Sequence, residues 1–214
     1  MKTWADFLDE IMPELPGIAE DLAEAQVLRS AVEFMDRAHV YQADHPAIAA
    51  VTGQGGYAWA PTDADTEVCH VFNVWYEGEK LTAKNGDYLS DKYDYWPDET
   101  GTPEHYLQER TDTLILVPSP DEDLADAITV KVALKPAMTA TGIPDDLFKD
   151  HREAIAAGAL FRLMRMPKKP WTNFDLAAAY RQAFNNAIEE ARHKQQAGNV
   201  RADHHVPDKR GRFV

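Results

Sequence analysis

Cys69 and His70 stand side by side in the aromatic, β-branched run Val68 to Tyr76. A thiol beside an imidazole is the pairing that a cysteine nucleophile needs. Successive side chains of a strand point to opposite faces, however, so these two cannot act on one atom. A buried thiol and a paired or exposed imidazole is the simpler reading. Asp203, His204 and His205 carry metal-capable groups, but their segment offers no fixed fourth ligand. Asp91 and Asp94 fall among Tyr88, Tyr93, Tyr95, Trp96 and Tyr106, and a carboxylate pair with aromatic platforms is what a glycan-cleaving site would use. Gly53-Gln54-Gly55-Gly56 leads into a strand rather than opening a helix, which makes it a turn and not a phosphate loop. Lys168-Lys169 could meet a phosphate, yet their place after a helix suits the negative end of its dipole. The H-E-x-x-H, G-x-S-x-G and protein-kinase patterns are absent from the sequence. These residues point to a structural or interaction protein with no catalytic residues, cofactor or metal. A soluble glycan-acting enzyme is the distant alternative.

The composition sets the frame for those residues. A chain of 214 residues makes one domain of ordinary size, or one domain with an insertion. Hydrophobic residues at 44% and charged residues at 27% lie near globular averages, so a core can be buried. No apolar run is long enough for a transmembrane helix, and acids stand where a signal peptide would be apolar. A single cysteine excludes an internal disulfide framework and a Cys-rich zinc site. The expected setting is a reducing cytoplasm, without membrane contact. A formal net charge of −14 argues against general nucleic-acid binding, because phosphate affinity comes from cations. The charge is uneven: from Arg192 onward six basic residues stand against two acids, a net +4 that leaves −18 on residues 1–191. The run GNVRADHHVPDKRGRFV has few apolar anchors and no periodicity, so residues 198–214 are expected to form an extended arm ordered by a partner.

Periodicity places the elements. Thr3 is a cap for a short helix over Trp4 to Ile11, stopped by Pro13 and Pro16. From Ile18, the row Ile18, Leu22, Ala25, Leu28, Val32, Met35 runs beside Val27, Ala31, Phe34, Ala38. That stripe is wider than one helix contact needs, so the helix packs on two sides within the fold or is partly buried against another subunit. Strands are expected at Tyr57 to Ala60, at Val68 to Tyr76 with a Glu77-Gly78 turn into Glu79 to Ala83, at Thr113 to Val117 and at Ile128 to Leu134. In the last, alternation predicts one buried and one solvated face. Residues 84–112 read as a long ordered loop on the sheet. Because no helix separates the strands, the sheet is expected to be antiparallel throughout. Pro144, Asp145 and Asp146 open a helix to about Met166, in which Gly158 would admit another backbone. Thr172 or Asn173 caps the last helix, striped by Ala177, Tyr180, Phe184, Ile188 and Ala191. The expectation is an α+β chain: a helical bundle from residues 1–50 and 141–197, a small antiparallel sheet or sandwich inserted at 51–140, and the arm at 198–214.

Three stretches carry a family resemblance. IAAGALFRLMRMPKKPWTNFDLAAAYRQAFNNAIEEAR has a helix with small residues, a Met-Pro/Lys-Pro-Trp-like break and an A-x-x-Y-x-x-x-F helix. RSAVEFMDRAHVYQ precedes it, as does ALKP followed by Ile143-Pro144-Asp145 and a new helix. This block resembles the tailed-bacteriophage head-to-tail adaptor (connector, or neck) proteins. The resemblance implies a homo-oligomeric, dodecameric ring beneath the portal protein at the head–tail junction of the virion, assembled in the host cytoplasm. Such a ring extends the DNA channel, lets genomic dsDNA pass without sequence-specific binding, and presents a surface to tail or neck proteins. On that reading Arg201, Lys209, Arg210 and Arg212 would dock the arm on an acidic portal groove, with Phe213 as the apolar anchor. Leu28, Val32, Met35, Leu160 and Leu163 would pack subunit on subunit. An acidic body would repel DNA and let it slide, and the β insertion would face the tail. The nearer alternative is a tail-side ring, a tail terminator or tail-tube adaptor.

Overall fold

The computed structural model describes residues 1–58, 65–110 and 112–198. Strand β1 (Lys2–Thr3) leads into a 3-10 turn (Trp4–Phe7) and the short helix α1 (Leu8–Ile11). The Asp6 carboxylate accepts from the Thr3 N–H at 2.8 Å and from its hydroxyl at 2.9 Å, so the expected cap is there. Indole Nε1 of Trp4 donates to the Ala140 carbonyl at 2.7 Å, pinning this turn to a segment far along the chain. Helix α2 (Glu20–Ala38) carries the wide apolar stripe and ends at His39, whose φ of 55° is left-handed.

Strand β2 (Gln42–Ala50) was hidden by Pro46, which reads as punctuation. It is tolerated because β2 lies at a sheet edge and its ladder with the neighbouring strand shifts between His45 and Ile48. Strand β3 (Gly56–Ala58) follows, and the rest of the expected Tyr57 to Ala60 strand lies outside the described residues. Strand β4 (Thr66–Tyr76) turns back through Glu77 (φ 49°) and Gly78 (φ 84°) into β5 (Glu79–Lys80). Two left-handed residues in succession match the twist of the strands they join. The hairpin ends at Lys80, however, because β6 (Thr82–Ala83) crosses to a second sheet.

Residues 84–112 are not a loop. They hold α3 (Gly86–Lys92), a 3-10 turn (Trp96–Asp98) and β7 (His105–Arg110). A seven-residue helix is too short to show periodicity, and β7 buries three successive residues, His105, Tyr106 and Leu107, before turning outward. Because α3 lies between them, β6 pairs with β7 in parallel, which overturns the expectation of an all-antiparallel sheet. Strands β8 (Thr113–Val117), β9 (Leu124–Pro136) and β10 (Gly142–Ile143) complete the set. The sheet orders are β2-β9-β4-β5 and β3-β8-β7-β6, with β1 paired to β10. Tyr57, Tyr106, Leu114 and Leu116 of one four-stranded sheet meet Val71, Val74, Ile128 and Val130 of the other in one apolar cluster. Strand β9 alternates as expected through Val132, but Ala133 is also fully buried, since α2 packs against this strand.

Helices α4 (Asp145–Met164) and α5 (Phe174–Ala197) pack on each other and on α2, giving a second core around Phe34, Met35, Ile155, Leu163, Phe184 and Ile188. The Ser30 hydroxyl donates to the Ile155 carbonyl at 2.7 Å inside that core, and Gly158 meets the Ser30 and Phe184 side chains rather than another backbone. Asn173, not Thr172, caps α5: its Oδ1 accepts from the Leu176 N–H at 3.1 Å. Asn173→Ala removes that acceptor and is expected to cost about 1 kcal/mol, read as a shift in urea midpoint without change in slope. A variant as stable as the parent would mean that the helix start is held by other contacts.

Candidate interaction surfaces

The residues with chemical potential are dispersed by the fold. At Cys69 the β4–β9 ladder slips between Val68 and His70, and Cys69 Sγ donates to the Ala133 carbonyl at 3.4 Å. The thiol is half-buried, and burial pushes its pKa up to about 11, which suits a packing residue and not a nucleophile. His70 lies instead against His39, their rings parallel with centroids 4.5 Å apart, and Phe72 meets both edge-on. Asp91 lies in α3 and Asp94 beyond its end, and both are exposed. Gly53 donates to the Pro120 carbonyl at 2.7 Å, and Gly55 accepts from Leu116 at 2.8 Å, so the glycine turn leads into β3 as expected. Among the described residues, no three His, Cys, Asp or Glu side chains gather as a metal site would require. Among those residues, too, no helix is long and apolar enough to cross a membrane.

The segment from 84 to 110 builds an ordered surface of its own. Asn85 caps α3, and Leu89 packs with Leu107 and Val117 in a third small core. Above it Lys92 Nζ donates to Glu104 Oε2 at 2.8 Å and lies 3.0 Å from His105 Nε2. Lys84 sits over the Tyr88 ring at 3.9 Å, and that ring meets His105 edge-on. Burial, then the Lys92 charge, holds the His105 pKa below its usual value. Sequence patterns missed this cluster, because Lys92 and His105 meet only when α3 folds back over β7.

Of the residues expected at a subunit contact, Met35, Leu160 and Leu163 lie inside this chain's own helical core, at 0%, 4% and 0% exposure. Leu28 and Val32 are half-buried on α2. The stripe of α2 is therefore wide because α1, α4, α5 and β9 all pack on it. Arg201, Lys209, Arg210, Arg212 and Phe213, together with Asp203, His204 and His205, lie outside the described residues. Lys168 takes a left-handed φ of 60° in the α4–α5 connection, and Lys169 lies over Trp171 at 5.9 Å.

The helical order α2, α4, break, α5 is the one the resemblance requires, and comparison decides the family. A family model described as SU10 adaptor protein matches residues 2–207. The chain belongs to the SU10 adaptor protein family. No curated protein matches it. Membership makes the chain a phage adaptor, a structural component of the virion, and bears out the likeness to head-to-tail adaptors read from its C-terminal helices. The match extends across α3 and β7, so the segment that read as a loop in the sequence is part of the adaptor unit.

The stacked histidines are expected to make the stability of this adaptor depend on pH. Burial lowers the pKa of His39 and of His70 below 6.5, and the nearby Arg192 charge lowers both further, with Asp36 acting against it at His39. His105 and His151 are lowered as well, first by burial. In the unfolded chain these imidazoles bind protons at a higher pH than in the folded one, so the stability present above 6.5 is lost as pH falls toward the folded values. Asp6 and Asp123, held low by hydrogen bonds to Thr3 and Thr52, titrate below 3.8 and leave that window alone. Melting temperature should fall between pH 8 and pH 5.5, and less steeply in His70→Gln. Parallel curves for parent and variant would remove His70 from the account.

Proposed function

We propose that this adaptor forms a ring under the portal protein, extends the DNA channel and offers the surface on which the tail assembles. Family membership across residues 2–207 carries the reading, since it covers both helical ends and the sheets between them. In this scheme α1, α2, α4 and α5 form one unit, the β region, expected at 51–140 and begun in the structure by β2 at Gln42, is inserted toward the tail, and 198–214 is the portal-docking arm. Arg201, Lys209, Arg210 and Arg212 neutralise an acidic groove on the portal, and Phe213 fills an apolar pocket within it. Neighbouring subunits meet across α2 at Leu28 and Val32, with Met35, Leu160 and Leu163 stiffening that face from beneath. A heterologous contact of this kind closes into a ring when its rotation divides a full turn. The dodecamer is the closure proposed. The charge of −18 on residues 1–191 supports a channel that dsDNA crosses without being held.

The test is to mix the purified chain with its cognate portal and image the mixture by negative stain beside the chain alone. Rings stacked on the portal are expected. Rings or tubes formed by the chain alone, with no portal binding, would instead assign it to the tail side as a terminator or tube adaptor.

A further inference from the structure

One end of the helical unit departs from the acid surface around it. The last turn of α4 and the middle of α5 line a cavity of about 460 Å³ with Arg162, Arg165 and Arg181, and Phe161 lies on its wall. Two guanidinium groups lie against the Phe161 ring, Arg181 at 4.8 Å and Arg165 at 5.1 Å from its centroid. Arg162 forms an ion pair with Glu33, whose other oxygen is taken by Arg37 at 3.2 Å. Among the described residues Glu33 is the cavity's single carboxylate, and it already serves two arginines. Arg165 and Arg181 form no ion pair among the described residues, and Arg162 Nε is a buried N–H without a partner there. Lys168 and Lys169, which a helix dipole alone seemed to explain, follow directly on the connection that borders this cavity. Three lining arginines and one lining acid leave a local net charge of +2 on a body that otherwise carries a large excess of acid.

We propose that this cavity is a docking site for an acidic segment of a partner protein, whose Asp or Glu side chain enters between Arg165 and Arg181. A guanidinium offers a planar fork that matches a carboxylate with two parallel N–H donors, and two such forks over one aromatic ring are held in place before binding. An incoming carboxylate relieves the repulsion between the two cations. Duplex DNA is the poorer occupant: a polyanion needs cations spread along its length, and the acid body around this recess repels it. This site shares none of its residues with the arm. Its failure would leave the portal reading untouched, and the converse also holds.

Titration calorimetry of the full chain with a capped hexaglutamate peptide, beside capped hexaglutamine, tests this. Saturable binding of hexaglutamate alone is expected, weakened about tenfold or more by Arg165→Ala with Arg181→Ala, since each lost charge-assisted hydrogen bond costs about 1.5 kcal/mol or more. Both side chains are exposed, so the variant should keep the parent's circular dichroism and melting temperature. Because the C-terminal arm is also basic, a chain ending at Asn199 should retain the binding. Equal affinity in parent and double variant, or loss in the shortened chain alone, would overturn the proposal. So would tighter binding of a duplex DNA oligonucleotide that depends on the same two arginines, which would make this a nucleic-acid contact.

Discussion

Gly158→Val is expected to destabilise the chain by about 3 kcal/mol, the upper part of the range for overpacking a close-packed core. A Cβ at Gly158 would lie 2.7 Å from the Phe184 ring and closer still to the Ser30 hydroxyl. Neither neighbour can yield easily. The Ser30 hydroxyl is fixed by its bond to the Ile155 carbonyl, and Phe184 is 2% exposed with its ring against Phe34. Replacing a glycine inside a helix ordinarily gains up to about 1 kcal/mol from propensity, so the clash decides the sign. Valine adds two methyl groups beyond the colliding Cβ and is the stronger test. For a domain of this size the loss corresponds to a fall of roughly 6–12 °C in melting temperature. A Gly158→Val protein that melts with the parent would mean that α2, α4 and α5 are not packed as described. Gly158→Ala should fall between the two.

Removing residues from Val200 onward is expected to abolish portal binding while leaving the fold intact. The deleted piece carries Arg201, Lys209, Arg210, Arg212 and Phe213, and the described residues of the three apolar cores all precede it. Loss of even two hot-spot contacts of about 2 kcal/mol each lowers affinity by roughly a thousandfold. Circular dichroism and melting temperature should match the parent, and pull-down with the portal should fail. Phe213→Ala alone separates the apolar anchor from the charges: its loss is expected to persist at high salt, whereas the cations' share is screened. Virions that assemble with the shortened chain and retain their DNA would rule out docking by the arm.

Local patterns in the sequence were enough for the helices. The three- and four-residue spacing of α2, the Pro144-Asp145-Asp146 opening of α4 and the capped start of α5 each lie within one turn of where the structure has them. These signals are legible because a helix closes its hydrogen bonds within a few residues, so its periodicity, caps and breakers are neighbours in the chain. The same applies to the Glu77-Gly78 hairpin, whose turn needs two left-handed residues in succession. Strand β2 escaped because Pro46 reads as a stop until it is known to lie on an edge, and edge position belongs to the sheet. The helix α3 and strand β7 escaped because one buried leucine and three successive buried residues follow neither period.

The candidate surfaces divide in the same way. The small-residue C-terminal helices and the break between them are properties of local order, so the sequence alone carried them to the family, and the acid body and basic end are likewise sums over composition. The width of α2's stripe was ambiguous until α1, α4, α5 and β9 were seen to cover it, since an apolar face does not state whether its partner is the same chain or another. Likewise Arg162 and Arg165 lie at the end of α4, Arg181 in α5 and Glu33 far back in α2, and nothing in their spacing announces a recess. What the sequence determined were the interactions between near neighbours and the sums of its charges. The pairing of distant strands, the burial of each face and the meeting of arginines around one carboxylate were decided only by tertiary packing, because they depend on which remote segments exclude water from one another.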